Sequence, residues 1–371
     1  MRLAPYVVLL SCGLLLMSTY IVRTLLPYIT VDVGGREVDV SRVLYISFVV
    51  LAFISPIAGW LCDVYGSWRV LLISVIPIAL IIPVYLYVDN VISLLVVIFI
   101  HALLGSSALA AALSIASWVT SRGGVGVGFL RFSQGLGIAL GPIVASLLAS
   151  VSYPPAFMLA SILALTPLTA LSIKHIGRSG VLSPLTSLKY SIKLLRLRGV
   201  RVLLSLAIAE ALSFATLITY YTSYLVIHLK FNEVDYGLFL FLEAIAFSIG
   251  SYASERLYKA YSTMVAMIGC FALLISYTCL HFVYEKLPIF LLSSAIGLSS
   301  SLTFNPVYIE VSKVLSDEFR GLGINILDMI IDITLALIIL LEPIVILIGF
   351  NNVTLIPVVI VLIALTTSMI I

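Results

Sequence analysis

Twelve apolar segments, each close to the length that crosses a lipid bilayer, divide this chain and limit its possible folds more than any other feature. A transmembrane helix needs about 20 apolar residues, and within hydrocarbon only helices and closed barrels satisfy every backbone hydrogen bond. The segments are continuous apolar runs without strand-like alternation, which favours helices over a barrel. The sequence therefore predicts an all-α integral membrane protein whose twelve spans cover residues 5–30, 41–62, 69–88, 91–119, 125–151, 155–173, 201–228, 235–258, 262–284, 287–313, 320–348 and 352–371.

The composition fits a chain that has lipid as its main solvent. Hydrophobic residues make up 62% of the 371 residues and charged residues only 10%, whereas a soluble domain carries about 25% charged residues. The sequence contains no metal-ligand cluster, no nucleophile elbow and no glycine-rich phosphate loop. We therefore expect no metal, no catalytic residue, no cofactor and no nucleic-acid partner. The four cysteines lie within or beside apolar runs and form no disulfide framework: Cys12, Cys62, Cys270 and Cys279.

One long connection divides the twelve predicted spans into six and six. The sequence predicts an N-terminal six-helix half over residues 1–174, a basic linker over 175–200 and a C-terminal six-helix half over 201–371. The linker suggests a basic amphipathic helix on the membrane surface, and a solvated linker that only fixes the topology is the alternative. The amphipathic pattern rests on apolar residues at helical spacing: Leu185, Leu188, Ile192 and Leu195.

The placement of lysine and arginine predicts the topology. These residues concentrate in cytoplasmic connections, and most of them fall on one side when the N-terminus is placed inside. We therefore expect both termini in the cytoplasm and the protein in the plasma membrane. Only four basic residues then fall in outer connections: Arg36, Arg42, Lys230 and Lys286.

A short polar run between predicted spans 2 and 3 carries the clearest motif. Residues 59–69 read G-W-L-C-D-V-Y-G-S-W-R, and a carboxylate in such a run is too costly to face lipid. The spacing Gly-x-Leu-x-Asp-x-x-Gly, followed by a basic residue, matches the cytoplasmic loop between spans 2 and 3 of the major facilitator superfamily. The chain resembles that family at Gly59, Leu61, Asp63, Gly66 and Arg69.

The resemblance implies two six-helix pseudo-repeat halves that alternate access to a substrate site at the bilayer midplane. It also implies that Asp63 pairs with a helix N-terminus and with basic groups of the other half, which latches the outward-open state. Val64 and Ser67-Trp68 depart from the family pattern and leave fewer basic residues in the motif, so the latch is expected to be weaker here. The alternative is that Asp63 only solvates a short loop.

The fifth predicted span carries a second match to the family. Gly128, Gly137, Gly141 and Pro142 reproduce its Gly-x8-Gly-x3-Gly-Pro pattern. In the family this pattern is commonest among proton-coupled exporters, so the resemblance suggests antiport. The physical alternative is close helix packing at a Gly-x-x-x-Gly face beside a proline that permits a bend.

Two basic side chains inside the early spans are candidates for substrate or proton contact. Arg23 lies in a segment that resembles the first span of organic-anion carriers in the family, where the arginine binds the anion. Its guanidinium group can donate hydrogen bonds to two oxygens of a carboxylate or phosphate. His101, with Gly105, imperfectly matches the family's Arg-x-x-x-Gly, and a histidine can gain and lose a proton. The alternatives are a structural pair between Arg23 and an acid, and a buried His101 bonded to a neighbouring helix.

Further polar residues inside the spans complete the candidate site, since ionisable groups there usually face a cavity or each other. Asp328 and Asp332 share one helix face, where two close carboxylates favour the retention of a proton. Balancing Arg23 or Arg131 is the alternative role for these acids, and Arg131 itself contacts either substrate or a loop acid. Asn305 either lines the cavity or repairs backbone bonds broken by Pro306. The mid-depth carboxylates are Glu210, Glu243 and Asp328.

The sequence leaves several functions open. The first is a monomeric carrier of a small-molecule substrate that exports a drug or metabolite in exchange for protons. The second is proton-coupled uptake of an organic anion held by Arg23. An intramembrane prenyl-transferring enzyme is the remote alternative, because Asp328-x-x-x-Asp332 supplies only one of the two acidic clusters that such enzymes need. A transporter-like sensor without flux is a further possibility.

The implied latch generates the first testable prediction. Asp63→Asn removes the charge and keeps the shape, so we expect a folded protein whose transport rate falls. Solute flux in proteoliposomes, compared at equal protein content, measures this effect. An unchanged rate would contradict the latch.

Overall fold

A computed structural model describes residues 4–121, 126–168, 198–314 and 317–370 of the chain. These residues form helices and contain no strand. We number the spans 1 to 12 in chain order. The first six are Ala4–Asp32, Glu37–Tyr65, Ser67–Ile81 with a 3₁₀ extension Ile82–Tyr87, Val91–Ser121, Gly126–Ala149 and Tyr153–Ala164.

The later spans include two with irregular turns. Span 7 runs from Arg198–Thr216 through a π-helical turn, Leu217–Tyr221, into Thr222–Ile227. Span 11 contains a 3₁₀ turn just before Pro343, which cannot donate a backbone hydrogen bond. Spans 8 to 12 are Glu233–Tyr261, Met264–His281, Lys286–Val314, Asp317–Ala336 continuing through Leu337–Leu341 into Glu342–Ile348, and Leu355–Ile370.

The predicted membrane class is confirmed. Within the described residues, 10 helical segments are long and apolar enough to cross a bilayer. The two remaining predicted spans correspond to the helix Glu37–Tyr65 and to the shorter apolar helix Tyr153–Leu168. The count of twelve transmembrane helices stays a prediction.

The chain forms two compact units. The first consists of Met1–Val181 with Leu225–Phe241, and the second of Leu182–Tyr224 with Leu242–Ile371. The predicted division into 1–174, 175–200 and 201–371 is not tested by these units, and most of the predicted linker lies outside the described residues.

The motif between spans 2 and 3 is more helical than expected. We expected a loop over residues 59–69, whereas span 2 continues to Tyr65 and span 3 begins at Ser67. Only Gly66 interrupts the helices, with φ of +89°, a conformation that glycine adopts without strain. The expected loop is therefore a single-residue turn.

Glycines hold spans 1 and 5 in close contact within the first unit. A Cβ atom on Gly137 would collide with the carbonyl oxygen of Gly13, and one on Gly141 would lie 2.8 Å from Tyr20 Cβ. Ser133 Oγ donates a hydrogen bond of 2.9 Å to the Leu9 carbonyl across the same contact. The glycine pattern of span 5 thus permits a backbone-to-backbone approach.

The connection between spans 7 and 8 belongs to the first unit and is anchored there by side chains. Tyr28 O–H donates to the Phe231 carbonyl over 3.1 Å. His228 Nε2 lies 2.6 Å from Glu37 Oε1. Tyr153 O–H adds hydrogen bonds to two carboxylates, at 3.2 Å and 3.3 Å, those of Asp32 and Glu233.

The contact between spans 1 and 5 generates a stability prediction. Gly137→Ala places a Cβ against backbone that cannot move aside, so we expect a loss of about 1–3 kcal/mol in the free energy of unfolding. Gly105→Ala is the matched control, because no atom lies within 4 Å of its Cβ position. Thermal unfolding in detergent compares the two variants. Equal unfolding temperatures would contradict the close contact.

Candidate functional site

Two glutamates lie near mid-depth in the second unit. Glu210 is about 18 Å along the axis of span 7 from its first residue, and Glu243 is about 15 Å along span 8 from its first residue. Their exposed fractions are 5% and 6%. Both predicted mid-depth positions therefore hold buried carboxyls.

The two carboxyls belong to one electrostatic cluster. Glu210 is close enough to Glu243 for their charges to repel each other, and Ser300 of span 10 lies beside Glu210. Ser300 Oγ is buried, but no hydrogen bond of normal geometry reaches it within the described residues. Across the same residues, no lysine, arginine or histidine forms an ion pair with either glutamate. The pair is thus buried without a compensating cation in the described part of the chain.

Close helix packing positions this cluster. A Cβ atom on Gly297 of span 10 would collide with the Glu243 carbonyl oxygen. One on Gly269 of span 9 would lie 2.9 Å from the Ser299 carbonyl oxygen and 2.7 Å from Thr303 Oγ1. Backbone contacts, rather than loops, therefore fix spans 8, 9 and 10 around the carboxyls.

Tyr277 of span 9 joins the cluster, although it is not among the residues predicted from the sequence. The residue is fully buried, and its hydroxyl has no hydrogen-bond partner among the described residues. It interacts electrostatically with both Glu210 and Glu243. A tyrosine hydroxyl carries no charge at neutral pH, so a search for ionisable groups passes over it. Its only signal in the sequence is a polar hydroxyl within an apolar span.

The chemistry open to this arrangement follows from the cost of an isolated charge. A carboxylate in dry, apolar surroundings is unfavourable unless a proton or a cation accompanies it. Two such groups that interact electrostatically can hold one or two protons, or exchange them for a cationic solute. The cluster therefore suits the binding of protons or cations.

Arg23 occupies the first unit and faces an aromatic ring instead of an acid. Its guanidinium carbon lies 4.5 Å from the centroid of the Phe48 ring. Nη2 is buried and has no hydrogen-bond partner in the described residues. The structural pair with an acid, which was the alternative for Arg23, does not occur within that part of the chain. The unused donor suits a carboxylate or phosphate.

His101 belongs to an aromatic cluster of the first unit. Its exposed fraction is 5%, and Nδ1 lies 3.1 Å from the Tyr85 hydroxyl. Tyr85 in turn stacks on Phe157, with ring centroids 5.7 Å apart. Nε2 of His101 has no partner in the described residues. The alternative for His101, a hydrogen bond to a neighbouring helix, is thus present, and the partner is the Tyr85 hydroxyl.

The remaining polar candidates of the second unit have protein partners. Asp328 accepts a hydrogen bond of 2.9 Å from Tyr308 O–H, and Asp332 lies one turn further along the same helix. Asn305 Nδ2 donates to Ser251 Oγ over 2.8 Å. Both aspartates are partly exposed, in contrast to the buried glutamates.

The motif residues are less fully described. The side chains of Asp63 and Arg131 and the surroundings of Gly128 lie outside the described residues. Arg69 is exposed, and Gly59 has no atom within 4 Å of its Cβ position. The Pro142 carbonyl oxygen would lie 2.8 Å from a Cβ atom on Gly237 in the first unit.

The lack of an acid partner for Arg23 among the described residues generates a further prediction. Breaking a buried ion pair destabilises a protein by about 3–5 kcal/mol, whereas loss of a cation–π contact removes about 0.5–1 kcal/mol at an exposed site and about 2 kcal/mol when desolvated. We therefore expect Arg23→Met to lower the free energy of unfolding by no more than about 2 kcal/mol, measured by thermal unfolding in detergent. A loss of the larger size would reveal an acid partner.

Comparisons with known proteins agree with this helical architecture. The family model of the Major Facilitator Superfamily matches residues 8–339. No curated protein sequence matches the chain.

Solved structures show the same fold at low sequence identity. A mutant form of the nucleoside transporter NupG has 16% identity and a TM-score of 0.78, with 99% of each chain covered. A bacterial homologue of the human lysosomal transporter Spinster, in an inward-facing and occupied conformation, has 12% identity and a TM-score of 0.73, covering 98% of this chain and 95% of that one. A POT family transporter in complex with a thioalcohol-conjugated peptide has 13% identity and a TM-score of 0.74, covering 98% and 94%.

Proposed function

This chain belongs to the Major Facilitator Superfamily of transporters, and we propose that it exports a small cationic or amphipathic drug or metabolite in exchange for protons. The family makes it a multi-pass membrane protein that carries a small-molecule substrate by secondary transport. It also sets aside the prenyl-transferring enzyme that Asp328 and Asp332 suggested, because the chain is a transporter and not an enzyme.

The buried pair of Glu210 and Glu243 is the observation that carries the proposal. Both carboxyls lie near mid-depth, and they have no cationic partner among the described residues. A proton and a cationic solute compete for the same carboxyls, so the binding of one favours the release of the other. Competition of this kind is the basis of antiport. The span 5 pattern, which resembles that of exporters, points the same way.

The similar solved structures do not identify the substrate of this chain. Their printed names include a nucleoside transporter and a transporter with a bound peptide, but identities of 12–16% support the fold alone. The class of substrate in this proposal therefore rests on the carboxyl pair of the chain itself.

A second candidate function is the proton-coupled uptake of an organic anion. Nη2 of Arg23, which has no partner in the part of the chain that the structure describes, favours it, because a guanidinium bonds two oxygens of a carboxylate or phosphate. The adjacent Phe48 ring keeps the guanidinium in place. In this function the glutamates supply only the proton site.

The setting of the transporter is part of the proposal. We place it in the plasma membrane with both termini in the cytoplasm, because basic residues concentrate on one side of the predicted topology. We also propose that it acts as a monomer, uses the proton as its coupling ion and has no nucleic-acid partner.

Replacement of the carboxyls tests the export proposal. We expect Glu210→Gln, Glu243→Gln and the double variant to lose at least tenfold of the solute accumulation that a proton gradient drives, because glutamine cannot exchange a proton. Uptake of a lipophilic cation into proteoliposomes with an acidic lumen measures this loss. Glu285→Gln is the matched control, since Glu285 is an exposed acid of the same unit.

Two outcomes would contradict the export proposal. Full cation accumulation by the double variant would show that Glu210 and Glu243 do not couple proton movement to solute transport. Loss of anion uptake in Arg23→Gln, together with no cation transport by the unmodified protein, would favour the second candidate function.

A further inference from the structure

A buried hydroxyl without a protein partner stands beside the carboxyl pair. Tyr277 is fully buried in span 9, and its O–H finds no acceptor in the described residues. It is about 20 Å along the helix axis from the first residue of span 9, in the second half of that helix. Buried hydroxyls are hydrogen-bonded in nearly all native structures, so this one calls for a partner that depends on the state of the site.

We propose that the Tyr277 hydroxyl is a positioning group for the Glu210–Glu243 pair, donating a hydrogen bond to the pair once it has released its proton. The inference rests on the proposed function for its purpose, because the pair must act as the proton site. Its chemistry, a bond between a phenol and a carboxylate, is independent of the substrate.

The neighbouring helices support this assignment. Spans 8 and 10 are in backbone contact at Glu243 and Gly297, and spans 9 and 10 are in backbone contact at Gly269 and Ser299. Tyr277 interacts electrostatically with both glutamates. The phenol and the two carboxyls thus belong to one tightly packed group of helices.

Ser300 of span 10 is the main competitor for this role among the described side chains of the helices packed on span 9. Span 12 carries no ionisable residue, and those of span 10 lie at its two ends. Cys270 of span 9 is a buried thiol, a weak donor. Ser300 lies beside Glu210 and offers a second hydroxyl, but a phenol is the stronger donor to a carboxylate.

The protonation state decides the direction of the hydrogen bond. A carboxylate only accepts, so the phenol donates to it after the proton leaves. A protonated carboxyl carries its own O–H and no longer needs the phenol as a donor. The hydroxyl therefore favours the deprotonated state and sets the pH range over which the pair exchanges protons.

Tyr277→Phe removes this one oxygen and keeps the ring. We expect the pH midpoint of the carboxyl titration to rise by about one unit, a tenfold change in proton binding, because a hydrogen bond to a charged group is lost. Infrared difference spectroscopy of the purified protein measures the midpoint. The band is assigned by its loss in the Glu210→Gln and Glu243→Gln variants.

Tyr220→Phe is the matched control. Tyr220 is also buried in the second unit, but its O–H donates to the Ile338 carbonyl over 2.9 Å. Its loss should lower the unfolding temperature and leave the carboxyl midpoint unchanged. Tyr277→Phe should show the opposite pattern, with a moved midpoint and an unchanged unfolding temperature.

Three results would overturn the inference. An unchanged midpoint in Tyr277→Phe would separate the hydroxyl from the pair, and an equal shift in Tyr220→Phe would make the effect nonspecific. Failure of Tyr277→Phe to fold would show a structural role for the hydroxyl. The titration requires no transport, so a moved midpoint in a protein without proton-coupled flux would sustain the hydrogen bond and contradict only the proposed function.

Discussion

An ionised side chain inside hydrocarbon or dry protein is costly unless a partner offsets its charge. This constraint explains why only 10% of the residues are charged. It also explains why the pair between His228 and Glu37 lies at the end of span 7 and the start of span 2, where both side chains remain partly exposed. Glu210 and Glu243 depart from the rule, since they are buried together without a cation in the described residues. A protein that keeps such a pair needs a proton or a solute to neutralise it, which links the cost of burial to transport.

Backbone contacts between helices give the candidate site its geometry. Gly297 brings span 10 against the backbone of Glu243, and Gly13 with Gly137 brings spans 1 and 5 equally close. A larger side chain at Gly297 would separate spans 8 and 10 and widen the space around the carboxyls. The same small residues that make helix association favourable in lipid therefore also hold the site in place.

The sequence predicted the helices well because span length depends on local composition. Apolar runs over 5–30 and 91–119 correspond to helices at Ala4–Asp32 and Val91–Ser121. The motif at 59–69 was expected in a loop, because polar residues and glycines suggest one, but the helix continues to Tyr65. The contact partners of the polar side chains could not be predicted from the sequence, because they depend on tertiary contacts. Arg23 faces Phe48, and Asp328 is hydrogen-bonded to Tyr308. Tyr277 was missed because an uncharged hydroxyl leaves little trace in a search for titratable groups.

The central claim is that a proton leaves its site when a cationic solute arrives. The most direct test records the luminal pH of proteoliposomes under an imposed proton gradient, with the lumen acidic, while a lipophilic cation is added outside. The account predicts that solute entry is accompanied by loss of luminal protons, in proportion to the solute that enters and in either orientation of the protein. Solute entry without any change in luminal pH, or with a gain of luminal protons, would contradict it.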